Sequence, residues 1–237
     1  MNKKPFGLGT ITILQDFVSK TVGFLPVHLQ HNLGKYLALK KAHYLTALSG
    51  IEGDYLDFGV FSGSSLAHSI RAYNSISAVD NRKYITQFYG FDSFKGFDES
   101  EKKYSDHPFF KNENFVWSYE KVNKRISKLA KKYSVESHIV EGFFKDTLIN
   151  KNFSIDKASI VLLDVDLYMA TKEALNFLTP YVQSGMIILV DEYGVPFQSK
   201  NSPKSALLEW EKENNFNLSY TASYGMGGAV FIVNDIY

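Results

Sequence analysis

The sequence predicts a doubly wound α/β fold built on a seven-stranded, mostly parallel sheet with helices on both faces and a C-terminal antiparallel hairpin. Three observations predict it. Two continuous apolar runs, Ala158 to Leu163 and Met186 to Val190, each stop at an acid, as expected of parallel strands covered on both sides. Gly53 to Val60 reads as a short strand that runs into a glycine, and Ser64 to Tyr73 follows as a helix. Asn217 to Ser223 and Ala229 to Val233 read as the arms of a hairpin, joined by Tyr224-Gly225-Met226-Gly227-Gly228.

The other elements follow in order. Met1 to Leu25 carries two lysines before apolar residues, but Asp16 and Lys20 interrupt the run and no small-residue cleavage site follows, so it reads as mature chain. Pro26 to Leu48 is broadly helical despite Gly34. Residues 1–50 are therefore expected to form a helical extension or lid, and residues 51–237 the main domain. Gln87 to Phe91 and Glu136 to Val140 add strands. Between them Asp98 to Tyr119 is a polar and aromatic stretch, a candidate lid in which Phe109, Phe110, Phe115 and Trp117 can cover a ligand. Lys121 to Tyr133 is an amphipathic helix whose other face is basic, and Met169 to Leu178 is a helix closed by Pro180.

Composition narrows the functions. A chain of 237 residues, 45% hydrophobic and 22% charged, suits one large domain. With 26 basic and 25 acidic side chains the formal charge is +1, which argues against nucleic acid or a membrane surface as partner and favours a small molecule. The basic helix stripe reads as a solvated face, and His28 with His31 as helix-surface or packing residues. The absence of cysteine excludes a disulfide framework, a thiolate metal site and a cysteine nucleophile. No stretch reaches the roughly 18 apolar residues of a membrane span, so a cytoplasmic protein is expected.

Three constellations carry chemistry. In Phe58-Gly59-Val60-Phe61-Ser62-Gly63-Ser64-Ser65, glycines let backbone approach a ligand, and the following helix N-terminus offers free amides to a carboxylate or phosphate. The spacing G-x-x-x-G departs from the dinucleotide fingerprint and tilts the choice from a nicotinamide cofactor towards S-adenosylmethionine. In Tyr89-Gly90-Phe91-Asp92-Ser93-Phe94 an acid ends a strand, where it can accept hydrogen bonds from both ribose hydroxyls. Asp80 competes, being nearer the interval of about 20 residues after the glycine turn. Asp92 is favoured because it directly follows apolar strand text. Asp164 and the Asp191-Glu192 pair end neighbouring strands, so they are expected at one edge of the sheet, where their oxygens suit magnesium, manganese or calcium. Gathered acids repel, so some positive partner is required.

At these residues the sequence resembles the macrocin O-methyltransferase (TylF-type) family, which methylates sugar hydroxyls on natural-product macrolide intermediates. The likeness rests on Phe58 to Ser65, on Tyr89-Gly90-Phe91-Asp92-Ser93-Phe94-Lys95-Gly96, on Glu141-Gly142-Phe143-Phe144-Lys145-Asp146-Thr147-Leu148, and on Asp164-Val165-Asp166-Leu167-Tyr168 with Val190-Asp191-Glu192-Tyr193-Gly194. The resemblance implies a Rossmann-like class I methyltransferase domain over residues 51–237. By that resemblance Phe58, Gly59, Val60, Gly63, Ser64 and Ser65 line the methionine part of S-adenosylmethionine, Asp92 and Ser93 hold the ribose, and Gly142 with Phe143 lies along the adenine. Asp164 borders the cofactor as well. Asp164, Asp191 and Glu192 are implied as Mg2+ (or Mn2+) ligands, although the family's third position usually holds the shorter Asp or Asn.

The expected reaction is metal-assisted O-methylation of a small hydroxylated substrate such as a sugar, with Asp164 or Asp166 receiving the proton and Asp164 preferred. Tyr36, Tyr44 and Tyr168 are candidates for the acceptor pocket, and a homodimer through the leading helices is expected by analogy. The alternatives are a metal-independent N- or C-methyltransferase and a non-catalytic nucleotide- or RNA-binding module.

Overall fold

A computed structural model describes residues 8–80, 83–98, 115–149, 153–194 and 201–234. Two helices, α1 (Leu8–Phe24) and α2 (Val27–Ser49), precede the sheet. Both lie in residues 1–50, the stretch expected to form a helical extension or lid. Pro26 occupies the N-cap of α2, and Gly50, at φ 66°, ends the helix with its N–H on Ala47 O. Ile13, Leu14 and Phe17 of α1 are exposed, as are Leu29, Leu33 and Leu37 of α2. Among the described residues no helix is long and apolar enough to cross a membrane.

Seven strands follow: β1 (Gly53–Phe58), β2 (Ile85–Asp92), β3 (Glu136–Glu141), β4 (Ala158–Leu163), β5 (Ile187–Val190), β6 (Leu218–Tyr224) and β7 (Gly228–Val233). Their order across the sheet is β3-β2-β1-β4-β5-β7-β6. The first five in that order run parallel, β7 is antiparallel to β5, and β6 and β7 form the expected hairpin. Every residue of β1, β4 and β5 is buried, which explains the nearly continuous apolar text of β4 and β5, whereas β1 also buries Asp54, which accepts the Gln87 N–H, and Asp57, which accepts the Tyr55 hydroxyl.

Helices cover both faces. α2, α3 (Ser64–Asp80) and α4 (Tyr119–Tyr133) pack Leu39, Leu66, Ile70 and Ile126 against Tyr55 and Phe88. On the other face α6 (Tyr168–Leu178) and α7 (Pro203–Glu213) pack Leu175 and Trp210 against the sheet's second apolar layer. A single turn, α5 (Phe144–Thr147), follows β3.

Two differences from the sequence expectation have physical causes. α3 continues beyond Tyr73, because Asn74, Ser75 and Ser77 only weaken a helix whose apolar face is buried. Asp80 thus ends α3 before β2 begins, at the amino edge of the sheet and away from the glycine turn. α7, which was not anticipated, starts with a legible signal: Ser202 accepts the Ser205 N–H, Ser205 returns the bond, and Pro203 stands in the first turn.

Beneath α2, His43 is fully buried and stacked on Tyr55 and Phe88, with the Tyr84 hydroxyl 3.3 Å from Nδ1. Its Nε2 meets no hydrogen-bond partner among the described residues. Burial, reinforced by His68, depresses its pKa to about 3. The unfolded chain therefore binds the proton first, and stability falls as the pH drops below the ordinary histidine value of about 6.5. Between about pH 7 and pH 5 this group alone removes about 2 kcal/mol. His43→Phe retains a stacking ring and is expected to remove that part of the acid sensitivity. Urea unfolding of both proteins at the two pH values checks this; parallel losses would refute it.

Candidate active site

The carboxyl ends of the parallel strands are stitched together by one row of backbone hydrogen bonds. Gly59 N–H reaches Phe91 O, Gly142 N–H reaches Asp92 O, Asp164 N–H reaches Phe58 O and Asp191 N–H reaches Leu163 O, each at 2.9 Å. The row brings the glycine turn, Asp92, Asp164 and Asp191 to one edge, as the sequence predicted. There a cleft of roughly 700 Å³, including the part open to solvent, is lined by Gly59, Phe61, Asp92, Ser93, Gly142, Phe143, Asp164 and Asp166 among others.

Asp92 is held before any ligand arrives. The Phe61 N–H donates to Oδ2 at 2.7 Å and the Phe94 N–H to Oδ1 at 2.6 Å. Both donors sit on left-handed backbone, at φ 46° and 55°, so the turns are shaped around this carboxylate. Burial raises its pKa, and the two N–H bonds oppose that rise. A carboxylate oxygen has capacity beyond one N–H, so the group can serve as turn cap and as ribose acceptor together. Ser93 braces the same turn, donating to Gly96 O at 2.7 Å.

The glycine turn divides its labour. Gly59, at φ 94°, has no room for a side chain, since a Cβ would lie 1.9 Å from Asp164 O. Gly63 makes room for α4, where a Cβ would lie 3.0 Å from Val122 Cγ1. Phe58 and Val60 bury their side chains in the core, leaving only backbone to offer a cofactor. Ser64 and Ser65 open α3, with Ser65 buried. Gly142, at φ 138°, leads to Phe143, whose ring lies under Lys145 Nζ at 5.6 Å. Lys145 also pairs with Asp98.

Phe115 and Trp117 rest against Phe61, at centroid separations of 6.3 and 5.2 Å. Phe109 and Phe110 lie outside the described residues. The three tyrosines proposed for an acceptor pocket are engaged or turned elsewhere: Tyr36 stacks on His68, Tyr44 is exposed, and the Tyr168 hydroxyl donates to Glu209 of α7.

The third constellation differs from expectation in one decisive way. Asp164 and Asp191 do converge, but the positive partner between them is Lys35 from α2. Its Nζ lies 2.6 Å from Asp164 Oδ2 and 2.9 Å from Asp191 Oδ2. One turn earlier on the same helix face, His31 Nε2 lies 2.9 and 3.1 Å from the two Asp191 oxygens. The Met226 N–H donates to His31 Nδ1 at 3.1 Å, which leaves the proton on Nε2, facing Asp191. Magnesium holds its oxygens at about 2.1 Å in a near-octahedral shell. With an ammonium already on both carboxylates, Asp164, Asp191 and Glu192 do not fit that shell. No group of three or more His, Cys, Asp or Glu among the described residues forms a metal-holding cluster.

The charges follow from these contacts. Burial would lift Asp191, but Lys35 and then His31 outweigh it and hold this carboxylate below its ordinary range. Burial and then the Asp191 charge lift Asp164, against the pull of Lys35. Asp166 is raised well above its ordinary value by burial and then by Asp164. It also occupies a left-handed position, φ 58°, inside a tight turn closed by the Leu167 N–H on Val165 O at 2.6 Å. Glu192 is raised, first by burial and then by Asp191.

Neither Lys35 nor a site role for His31 was foreseen. The available signal was Gly34 between them. A Cβ there would meet Gly225 N at 2.4 Å, so the glycine is required for α2 to touch the turn between β6 and β7.

Comparison with known proteins agrees with this architecture. The Macrocin-O-methyltransferase (TylF) family profile matches residues 36–217. The mycinamicin III 3″-O-methyltransferase of Micromonospora griseorubida is 24% identical over 155 residues, covering 62% of this chain and 58% of that protein. The match therefore spans well under two thirds of that relative's length. A crystal structure of CalS11, a calicheamicin methyltransferase, superimposes with a TM-score of 0.68 at 20% identity over 99% of this chain and 95% of that one. An apo structure of CalS11, described as a TDP-rhamnose 3′-O-methyltransferase, gives 0.61 at 17% identity over 99% and 97%. These structural likenesses bear on the fold, and the family profile covers most of the sequence: the chain belongs to the macrocin O-methyltransferase (TylF) family.

Proposed function

We propose that the protein is an S-adenosylmethionine-dependent O-methyltransferase acting on a hydroxyl of a sugar or sugar-bearing metabolite. One observation carries the reading: a cleft wall holds a carboxylate fixed by two backbone N–H groups, Asp92, beside a second carboxylate, Asp164, at the end of β4. The residues fit a nucleoside cofactor, with glycine at the closest backbone approach, aromatic faces from Phe61 and Phe143, and an acceptor for ribose hydroxyls. The names of the matched relatives, one a TDP-rhamnose 3′-O-methyltransferase, support a sugar as acceptor.

The bound cofactor supplies an electrophilic methyl and a neutral thioether leaving group. The chain's residues supply position and a proton acceptor. Phe61 and Phe94 keep Asp92 oriented, so the ribose docks without reorganising the turn. Asp164 would take the proton of the acceptor hydroxyl during methyl transfer, and Lys35 steadies Asp164 through its ion pair. Asp166, in its strained turn, is the nearby carboxyl that shapes the acceptor side. Divalent-metal assistance enters no step, because Lys35 and His31 engage the carboxylates it would require.

Thermal unfolding with S-adenosylhomocysteine tests the reading. At roughly 100 times its dissociation constant the ligand is expected to add about 2.7 kcal/mol, or roughly 5 to 10 °C in melting temperature. Transfer of labelled methyl to nucleotide-linked deoxysugars is expected to follow. A shift with RNA and none with the cofactor product would instead support the non-catalytic module.

A further inference from the structure

We infer that Lys35 is the resident cation of this site and takes the place a divalent ion would occupy. The proposal rests on the methyltransferase reading only for what the site does, since the ion pairs exist independently of it.

The geometry favours the lysine at each point. Lys35 is 5% exposed, so its ammonium is committed to the interior. A buried cation is tolerated only when paired, and here two carboxylates pair with it at 2.6 and 2.9 Å. Both Asp191 oxygens already face His31 Nε2, and one of them also faces Lys35, which leaves that carboxylate poorly placed for a metal. A divalent ion arriving at about 2.1 Å from the same oxygens would have to expel the ammonium into an apolar helix interface or sit against it, charge to charge.

The lysine also brings something an ion does not. It is covalently part of α2, so the cation's position is tied to the packing of that helix on α3 and on the Gly225 turn. An ammonium has three N–H donors, and the two ion pairs account for two.

Manganese titration followed by electron paramagnetic resonance is the deciding measurement, made on the full chain with S-adenosylhomocysteine present. Wild type is expected to leave the free Mn2+ signal undiminished and to retain turnover after dialysis against EDTA. In Lys35→Ala the two carboxylates lose their counter-charge and gain space. That variant is expected to bind Mn2+ at least tenfold more tightly than wild type, equivalent to about 1.4 kcal/mol. Stoichiometric Mn2+ binding by wild type, or turnover lost in EDTA and restored by Mg2+, would overturn the proposal. If Lys35→Ala does not fold, the wild-type titration still decides. Thermal stabilisation by S-adenosylhomocysteine, recorded on the same samples, separates the two claims: its absence counts against the methyltransferase reading and leaves the ion-pair result standing.

Discussion

Exchanging Asp164 for asparagine is expected to lower kcat by about 10² to 10⁴-fold, the usual contribution of a positioned proton acceptor, with S-adenosylhomocysteine affinity within roughly threefold of wild type. Asparagine preserves the volume and can still accept a hydrogen bond from Lys35, but it cannot take a proton. Asp191 keeps its ion pair with Lys35 and its hydrogen bond from His31, so the fold should survive. Asp166→Asn is the control, because Asp166 is the other carboxyl at this strand end, and the larger loss should fall on Asp164. The sign of the pH dependence is also fixed. Burial and Asp191 raise the Asp164 pKa, and the acceptor must be ionised to work. Activity should therefore rise with pH through a limb displaced above the ordinary carboxylate value of about 3.9. Equal rates for wild type and Asp164→Asn would remove Asp164 from the mechanism.

Gly59→Ala is expected to produce the largest structural effect. The added carbon would lie 1.9 Å from Asp164 O and 2.7 Å from Asp164 C, both backbone atoms, so no side-chain rotation relieves the clash. The φ of 94° is itself unfavourable for alanine. Relief requires the ends of β1 and β4 to separate, which breaks the Asp164 N–H bond to Phe58 O and shifts Asp164. A loss of about 3 to 5 kcal/mol, roughly 10 °C in melting temperature, is expected together with loss of cofactor-product binding. A soluble variant that melts and binds like wild type would show that this close approach is dispensable.

Much of this architecture was legible in the sequence because it is local. β4 and β5 are buried on both faces, so each is a short apolar run, and an acid that ends such a run stands out. Asp164 and Asp191 were found in this way, as was the need for a positive charge between them. What supplies that charge was not legible. Lys35 and Asp164 are 129 residues apart, and His31 and Asp191 are 160 apart, so no periodicity or motif joins them. A lysine and a histidine at helical spacing look the same on a solvated face as in a site. Asp92 was preferred to Asp80 on strand text, and the two lie at opposite edges of the sheet, since α3 runs on to Asp80 before β2 begins.

The contact between Gly34 and Gly225 acts as a depth gauge for the leading helix. Two backbones touching without side chains between them set how far α2 can advance, and a slip by one residue would move Lys35 by about 1.5 Å and swing it through about 100°. Residues ahead of the sheet are thus machined to the tolerance of the edge that carries Asp164 and Asp191. Treating them as a detachable appendage would strip two aspartates of the charge they are built around.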